Sequence, residues 1–395
     1  MHRTLLSPAC FATYAASFSV GALYALVVPT LSLHLAQAYQ VSAWWIGVFF
    51  IGKALASVFF AQLIARRSDR LKDRRPLIAA AMAAGGISCF LFAAASSFNQ
   101  MLLIATSVFG LSFSANAQLM AQTREFADAQ LPANQATLFN SIVRACIAVA
   151  WIAGPPLGFI LLSQLGFKLQ CTIVGSAYFA TALLCLFVLP KTGKAHNPTP
   201  AKASRQPLGR TLTGGIIAFS LMFGCNASYQ IALPLMIRDK LQADPGLAGF
   251  MMGTAALLEI PLMILAGWLG GRMPLLPLIR IGAGAAVILY LGIWQANAVW
   301  QLFVLQLFNA VFIGFIAGLG MTWFQNLLPG QAGLSSSYFS NANGLGEITG
   351  YLIIALVAQR IGYGDMYGFT GLVALVALGV LLGVCGKNSS GALRS

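Results

Sequence analysis

Apolar runs of about twenty residues follow one another along almost the whole chain, and they limit what it can fold into. A membrane-spanning helix needs about 20 mostly apolar residues. By this measure the sequence predicts twelve spanning segments, at about 11–35, 44–65, 77–95, 101–122, 137–162, 170–189, 211–236, 247–270, 276–293, 301–322, 336–358 and 366–386. Only 8% of the 395 residues are charged, against about a quarter in soluble domains, which excludes a water-soluble globule. We therefore predict an all-α integral membrane protein.

The basic residues are concentrated on one predicted side of the membrane. The chain has 23 Lys and Arg against 9 Asp and Glu, and a net charge of +14 would suggest nucleic-acid binding in a soluble protein. With the N-terminus placed in the cytoplasm, 17 of these 23 fall in predicted cytoplasmic segments and four in outer loops. This distribution follows the positive-inside rule. It predicts that both termini are cytoplasmic, and it replaces the nucleic-acid interpretation.

The predicted segments divide into two halves of six. Residues 190–210 hold four prolines and five Lys or Arg, which is typical of a polar linker, so the predicted parts are 1–189, 190–210 and 211–395. Proline follows tyrosine by five residues in the first segment of each half, as Tyr24 and Pro29 and as Tyr229 and Pro234. This six-plus-six repeat resembles the major facilitator fold, which implies a substrate site near the midplane between the halves.

Four ionisable residues lie well inside predicted helices: Lys53, Arg144, Glu259 and Glu347. Each costs about 2.5–3.5 kcal/mol at a helix centre, so each needs a partner or a water-filled cavity. The resemblance to major facilitators implies that Lys53 lies near Glu347, as a charge pair between the halves, and Arg144 near Glu259. Structural neutralisation, gating and proton coupling all stay open as roles. For proton coupling, Glu259 beside Arg144 is the preferred assignment.

Two further motifs resemble major facilitator signatures. The loop between segments two and three carries Asp69, Arg70, Arg74 and Arg75, which resemble the cytoplasmic loop signature without its usual glycines. A positive-inside topology anchor explains the same residues equally well. Segment five contains Gly154-Pro-Pro-Leu-Gly158, which is similar to the GPxxG signature of exporters. Close helix packing alone also requires small residues there.

Amides and aromatic residues within the predicted helices form the candidate substrate site. Amides are costly in lipid and should point inward, where they hydrogen-bond hydroxyl groups, while aromatic rings cover the CH faces of a sugar. The alternative is that these amides only bond neighbouring helices. The candidate substrate-binding residues are Tyr24, Asn116, Asn140, Arg144, Asn226, Tyr229, Asn309, Trp323 and Asn343.

Several longer strings are similar to the bacterial sugar efflux transporters of the major facilitator superfamily. They include residues 29–33, 45–47, 67–69, 123–128, 154–156, 249–261, 305–314 and 323–325. This resemblance implies proton-linked export of lactose, glucose or related glycosides by a monomer in the bacterial inner membrane. Arg144, Glu259, Asn309 and Trp323 fit the family pattern, whereas Lys53 and Glu347 depart from it.

Alternative functions are distinguished by the chemistry of the cavity. A multidrug/proton antiporter would share the exporter signature but have a more apolar, aromatic cavity. A non-transporting receptor or scaffold is a second alternative, which the six-plus-six repeat argues against. No catalytic constellation, phosphate-binding loop or metal-ligand cluster is present in the sequence, so we predict no enzyme activity, cofactor or metal.

Overall fold

Helices account for all regular secondary structure in the part of the chain that is described. The computed structural model describes residues 5–68, 73–191, 209–329 and 331–384, and the side chains of 65–68, 133, 134, 137, 332 and 333 lie outside that description. Ten helical stretches in these ranges are long and apolar enough to cross a membrane. The prediction of an all-α, multi-pass membrane protein is confirmed.

The chain forms two compact units. Unit 1 contains the described residues up to 191 together with Pro245–Gly253. Its helices are α1 (Pro8–Ala38), α2 (Ala43–Ser68), α3 (Arg75–Ala94), α4 (Phe98–Ile104), a π-helical turn (Ala105–Phe109), α5 (Gly110–Ser112), α6 (Ser114–Gln130) and α7 (Ala133–Phe187). Helices α1 and α3 pack on α7, while α2 packs along the stretch from the π-helical turn to α6.

Unit 2 contains the described residues of 209–244 and 254–384. Its helices are α8 (Arg210–Asp239), most of α9 (Leu247–Gly270), α10 (Leu275–Gln295), α11 (Val299–Leu327), α12 (Ala332–Ile353), a π-helical turn (Ile354–Ala358) and α13 (Gln359–Gly383). Helix α8 packs on α12 and α13, and α10 packs on α11 and α13.

The first turns of α9 belong to unit 1 because two glycines let them approach α7 closely. A Cβ atom at Gly249 would lie 2.7 Å from the Pro155 carbonyl oxygen, and one at Gly253 would lie 2.6 Å from that of Ile152. Pro156 has no backbone N–H to donate to the Ile152 carbonyl, so this carbonyl lacks its usual helical donor. The predicted division into 1–189, 190–210 and 211–395 stays a prediction.

Two of the apolar stretches are about twice as long as one membrane crossing requires. They are the fifty-residue stretches Leu138–Phe187 and Leu334–Gly383. Each contains one glycine with non-helical backbone angles, Gly166 (φ 75°, ψ 164°) and Gly362 (φ 82°, ψ 166°). Only glycine adopts this conformation at little cost. Both glycines fall in gaps between predicted segments, and the count of twelve crossings stays a prediction.

The two units share the way in which their helices are capped. In unit 1 the Gln100 side chain accepts a hydrogen bond from the Ser96 backbone N–H (2.8 Å) at the start of α4. In unit 2 the Gln301 side chain accepts from the Asn297 backbone N–H (2.8 Å) at the start of α11. These bonds satisfy N–H groups that a helix start would otherwise leave unpaired. The same local chemistry therefore begins the corresponding helix of each unit.

Candidate functional site

Unit 2 contains a buried hydrogen-bond network between α8 and α11. The Tyr229 hydroxyl donates to Gln306 Oε1 (2.7 Å), and Asn309 Nδ2 donates to the same oxygen (3.1 Å). Gln306 Nε2 donates in turn to the Leu302 carbonyl (2.7 Å). The exposed fractions of Tyr229, Gln306 and Asn309 are 2%, 0% and 4%. Three polar side chains are thus held together in a largely apolar interior.

Two polar atoms near this network lack a hydrogen-bond partner among the described residues. They are Asn309 Oδ1 and the Tyr290 hydroxyl, and both are buried. The Tyr290 ring stacks on that of Tyr367 with centroids 6.4 Å apart, and the Tyr367 hydroxyl donates to the Tyr229 carbonyl (3.5 Å). Buried polar groups are nearly always paired, so each of these atoms is a position where a ligand or water is expected.

In unit 1 the corresponding tyrosine has aromatic and cationic surroundings. The Tyr24 hydroxyl donates to the Ser112 carbonyl (2.5 Å), and its ring stacks on Phe113 at 4.4 Å between centroids. The Lys53 ammonium lies 4.2 Å from the centroid of the Phe113 ring, a cation–π arrangement. Lys53 is only 3% exposed. The Tyr178 ring meets Tyr24 edge-on at 6.3 Å.

The backbone around Ser112 explains why a side chain reaches its carbonyl. A π-helical turn, Ala105–Phe109, precedes the short α5, and Phe113 separates α5 from α6. Such interruptions leave backbone groups without their usual helical partners, and they are frequent at functional sites. The hydroxyl of Tyr24 supplies a donor at this irregular point.

The remaining predicted site residues differ in burial. Asn140, Asn226, Glu259 and Glu347 are half-buried, whereas Asn116, Arg144 and Asn343 are exposed. Of the predicted substrate-binding residues, Tyr229 and Asn309 are brought together by their hydrogen bonds to Gln306. The assignments of the other residues, including the charge pairs, stay predictions.

Trp323 lies in an aromatic cluster of unit 2. Its ring stacks on that of Phe219 with centroids 5.8 Å apart, and it meets Phe324 edge-on at 5.3 Å. Trp323 also packs against Gly215 of α8, where a Cβ atom would clash with its ring. These contacts account for the burial of Trp323, and its predicted contact with substrate stays a prediction.

Arg74, the residue just before α3, is buried and bonds α6. Arg74 donates from Nε to Glu125 Oε1 (2.9 Å) and from Nη1 to Gln118 Oε1 (2.9 Å). Arg74 is 6% exposed, so its charge requires this carboxylate. Of the predicted loop signature, Asp69 and Arg70 lie outside the described residues.

Arg75, the first residue of α3, bonds Asp73 and the chain just after α7. It forms a two-point ion pair with Asp73, with Nη2–Oδ2 at 2.8 Å and Nε–Oδ1 at 3.0 Å, and Nη1 donates to the Leu189 carbonyl (3.3 Å). Hydrogen bonds from the Arg75 side chain hold the pKa of the Asp73 carboxyl below its usual value. In unit 2, Arg280 likewise donates to the Leu381 carbonyl (3.0 Å) at the end of α13. Arginines of α3 and α10 thus cap equivalent helix ends.

Sequence reasoning missed the residues that complete these clusters. Gln306 and Glu125 lie within the family-like strings 305–314 and 123–128 but are not among the predicted site residues. Gln170 is not among them either, although its Nε2 lies within hydrogen-bond distance of the Leu26 carbonyl (2.9 Å) and the Gly158 carbonyl (3.1 Å). An amide in an apolar segment signals such a role, but its partner comes from a distant part of the chain.

Comparison with known proteins identifies the family. The chain matches the family model of the Major Facilitator Superfamily over residues 9–299 and 215–391. It is 37% identical over 368 residues to sugar efflux transporter A of Escherichia coli (strain K12), covering 92% of each chain. It is 35% identical over 363 residues to sugar efflux transporter B of Salmonella typhimurium (strain LT2), covering 91% of each chain.

Solved structures agree on the fold. The crystal structure of the nucleoside transporter NupG superposes with a TM-score of 0.76 at 12% identity, covering 95% of this chain and 98% of that one. The matched family and the two relatives are membrane transporters, which are not enzymes. The chain therefore belongs to the bacterial sugar efflux transporter family of the major facilitator superfamily.

Proposed function

We propose that this protein exports sugars or small glycosides from the cytoplasm by alternating access, with lactose and glucose as the first candidates. The observation that carries the proposal is the buried network of Tyr229, Gln306 and Asn309. A sugar hydroxyl both donates and accepts hydrogen bonds, so it can donate to Asn309 Oδ1, which has no partner among the described residues. The names of the two relatives, both sugar efflux transporters, support the same substrate class.

Aromatic rings supply the second kind of contact that a sugar needs. Tyr24 and Phe113 form a stacked pair in unit 1, and Tyr229 carries its ring beside the amides of unit 2. Ring faces pack against the CH groups of a pyranose, while amides bond its hydroxyls. Asn116, Asn140, Arg144, Asn226, Trp323 and Asn343 are proposed as further members of the substrate site.

We propose that protons drive export and that Glu259 carries them. Glu259 is half-buried in α9, whose sequence is otherwise apolar around it. A carboxyl in such a position binds a proton when its surroundings are dry and releases it when water enters. Arg144 is proposed to favour release, and Lys53 with Glu347 to form a charge pair that stabilises or gates the transporter.

The proposed location is the bacterial inner membrane, with both termini in the cytoplasm and a monomer as the working unit. The distribution of basic residues, 17 of 23 in predicted cytoplasmic segments, supports this orientation. Substrate and protons are the proposed partners, together with the surrounding lipid.

The decisive experiment is transport by the purified protein in liposomes. Counterflow of labelled lactose and glucose is measured beside flux of a hydrophobic cation, with and without a pH gradient. We expect saturable sugar flux that a pH gradient accelerates. Saturable cation flux without sugar flux would instead establish the multidrug/proton antiporter, and absence of any flux would favour a non-transporting role.

The proton-coupling assignment is tested in the same liposomes with Glu259→Gln. The amide cannot release a proton, so gradient-driven transport should fall to background while counterflow continues. Asp239→Asn is the matched control, since it removes an exposed carboxyl of unit 2 outside the proposed machinery and should leave the response to the gradient. Gradient-driven transport by Glu259→Gln would rule out Glu259 as the carrier.

A further inference from the structure

The network of unit 2 has a fixed direction, which begins at a backbone carbonyl. The Leu302 carbonyl can only accept a hydrogen bond, so the side-chain group of Gln306 that faces it, at 2.7 Å, is the N–H. The amide oxygen of Gln306 must then point the other way. The orientation of this amide is therefore set by the backbone of its own helix.

The orientation of Gln306 determines the roles of its two neighbours. Its oxygen Oε1 is 2.7 Å from the Tyr229 hydroxyl and 3.1 Å from Asn309 Nδ2. An amide oxygen accepts, so both neighbours must donate. The single hydroxyl proton of Tyr229 is used in this bond. Asn309 is held with its N–H group toward Gln306.

The consequence is that Asn309 presents an oxygen, and not an N–H group, to whatever lies beyond the network. Asn309 Oδ1 is buried and has no hydrogen-bond partner among the described residues. Asn309 as a whole is 4% exposed. A buried oxygen in this state favours a ligand that brings a donor, and it disfavours one that brings only an acceptor.

Resting on the proposed function, we propose that Gln306 is a positioning residue that makes Asn309 a hydrogen-bond acceptor for one substrate hydroxyl. Gln306 itself does not contact the sugar. It sets the selectivity of the site by preventing the Asn309 amide from turning over. The transporter then recognises a ring position by its O–H donor and rejects a substituent that can only accept.

Monodeoxy-monofluoro sugars test this selectivity, because fluorine has nearly the size of a hydroxyl and cannot donate. Each analogue, fluorinated at one ring position, competes with the labelled lactose or glucose that the wild type exchanges in counterflow. At one position we expect the fluoro analogue to compete about tenfold less well than the parent sugar. In Gln306→Met this ratio should fall to about twofold or less, since the Asn309 amide can then turn.

Controls separate positioning from a structural role. Gln301→Met removes a glutamine from the same helix outside the network and should leave the ratio unchanged. If Gln306→Met slows all analogues equally and keeps the wild-type ratio, Gln306 is only structural and the inference is wrong. Should Gln306→Met not accumulate in the membrane, Asn309→Leu gives the second test. It removes the acceptor oxygen at similar side-chain size, so the ratio should fall to about twofold or less, and an unchanged ratio would contradict the inference.

The same experiment distinguishes failure of this inference from failure of the proposed function. Absence of sugar counterflow in the wild type would overturn the proposed function, and the role of Gln306 with it. Wild-type counterflow with no hydroxyl-to-fluoro discrimination at any ring position would overturn the inference alone. In that case water, and not substrate, satisfies Asn309 Oδ1.

Discussion

The two units place a tyrosine at the same point of their first helix and give it different surroundings. Tyr24 of unit 1 donates to a backbone carbonyl and stacks on Phe113, over which the Lys53 ammonium lies. Tyr229 of unit 2 donates to the side-chain amide of Gln306. Each hydroxyl bonds the helical stretch after the third helix of its unit, which is α5 in unit 1 and α11 in unit 2. The helix arrangement around the two tyrosines is thus the same, whereas the groups that they contact differ.

The difference shows how the same helix arrangement, present in both units, can hold two kinds of site. In unit 1 the polar group among the rings is a cation, whereas in unit 2 it is a pair of neutral amides with directional donors and acceptors. A cation attracts negative charge from any direction, whereas an amide network distinguishes hydrogen-bond donors from acceptors. Under the proposed function, selectivity among sugars would therefore lie in unit 2, and charge-dependent steps in the cationic site of unit 1 and the carboxyls of unit 2.

The largest expected effect concerns the charges that differ between the units. Lys53→Glu and Glu347→Lys should each strongly reduce the amount of active protein, because an unpaired intramembrane charge costs about 2.5–3.5 kcal/mol. The double swap should recover much of the loss. Membrane abundance and counterflow measure all three variants. A double swap no better tolerated than either single change would refute the proposed charge pair.

A smaller effect is expected where unit 1 buries Arg74. Glu125→Ala leaves the guanidinium without its carboxylate and should lower the free energy of unfolding by about 2 kcal/mol, since Glu125 is partly exposed. Asp128→Ala is the matched control, because the exposed pair Arg124–Asp128, at 3.9 Å, should contribute less than about 1 kcal/mol. Thermal unfolding in detergent compares the two. Equal destabilisation would show that burial of Arg74 does not matter.

The two tyrosines should respond differently to loss of their hydroxyls. Tyr229→Phe removes one of two donors to Gln306 and should raise KM for sugar about fivefold, the effect of one net hydrogen bond. Tyr24→Phe keeps the stack on Phe113 and should change KM by less than about twofold. Initial rates of sugar flux in liposomes give both values. The reverse order would assign sugar selectivity to unit 1.

The smallest expected effect is on stability, and it distinguishes Arg75, which pairs with Asp73, from Arg280. The pKa of Asp73 is lowered in the folded protein, chiefly by hydrogen bonds from Arg75, so this pair stabilises above the ordinary pKa of 3.8. That stabilisation is lost as the pH falls through the lowered pKa. Asp73→Asn should therefore lower stability by less than about 1 kcal/mol at pH 7, with a smaller difference at acid pH.

Arg280 provides the comparison, because the Leu381 carbonyl that it bonds does not titrate. Arg280→Gln should thus lower the melting temperature with no acid-dependent component of this kind. The measurement is thermal unfolding of the wild type and both variants across acid and neutral pH. A loss in Asp73→Asn that is constant with pH would show that the carboxylate charge does not contribute.

Much of the fold could be predicted because lipid imposes a simple rule on sequence. Backbone polar groups must be satisfied within each spanning segment, so long apolar runs become helices. Gly166 and Gly362 lie in the gaps between predicted segments, because a break in an apolar run is also visible in the local sequence. The packing of the start of α9 could not be predicted in this way. Its assignment to unit 1 depends on the close approach of Gly249 and Gly253 to α7, which local patterns do not encode.

The candidate site was less predictable, because burial and partners depend on distant parts of the chain. The sequence predicts Tyr229 and Asn309, which share one network, but it does not predict Gln306, which joins them. Asn116 and Asn343, predicted by the same reasoning, are exposed, and their role stays a prediction. A polar residue in an apolar helix indicates that it needs a partner, and it does not say which one.

The sequence by itself determined that this protein spans a membrane, because few charges and repeated apolar runs leave no soluble alternative. It also determined the family, through strings shared along most of the chain. Only the tertiary structure decided that Gln306 holds Tyr229 and Asn309, and that the Lys53 ammonium lies over an aromatic ring. The physical reason is that lipid acts on each apolar segment separately, so the segment's own sequence is enough to make it a helix. Hydrogen-bond direction is set by the atoms that packing brings within about 3 Å.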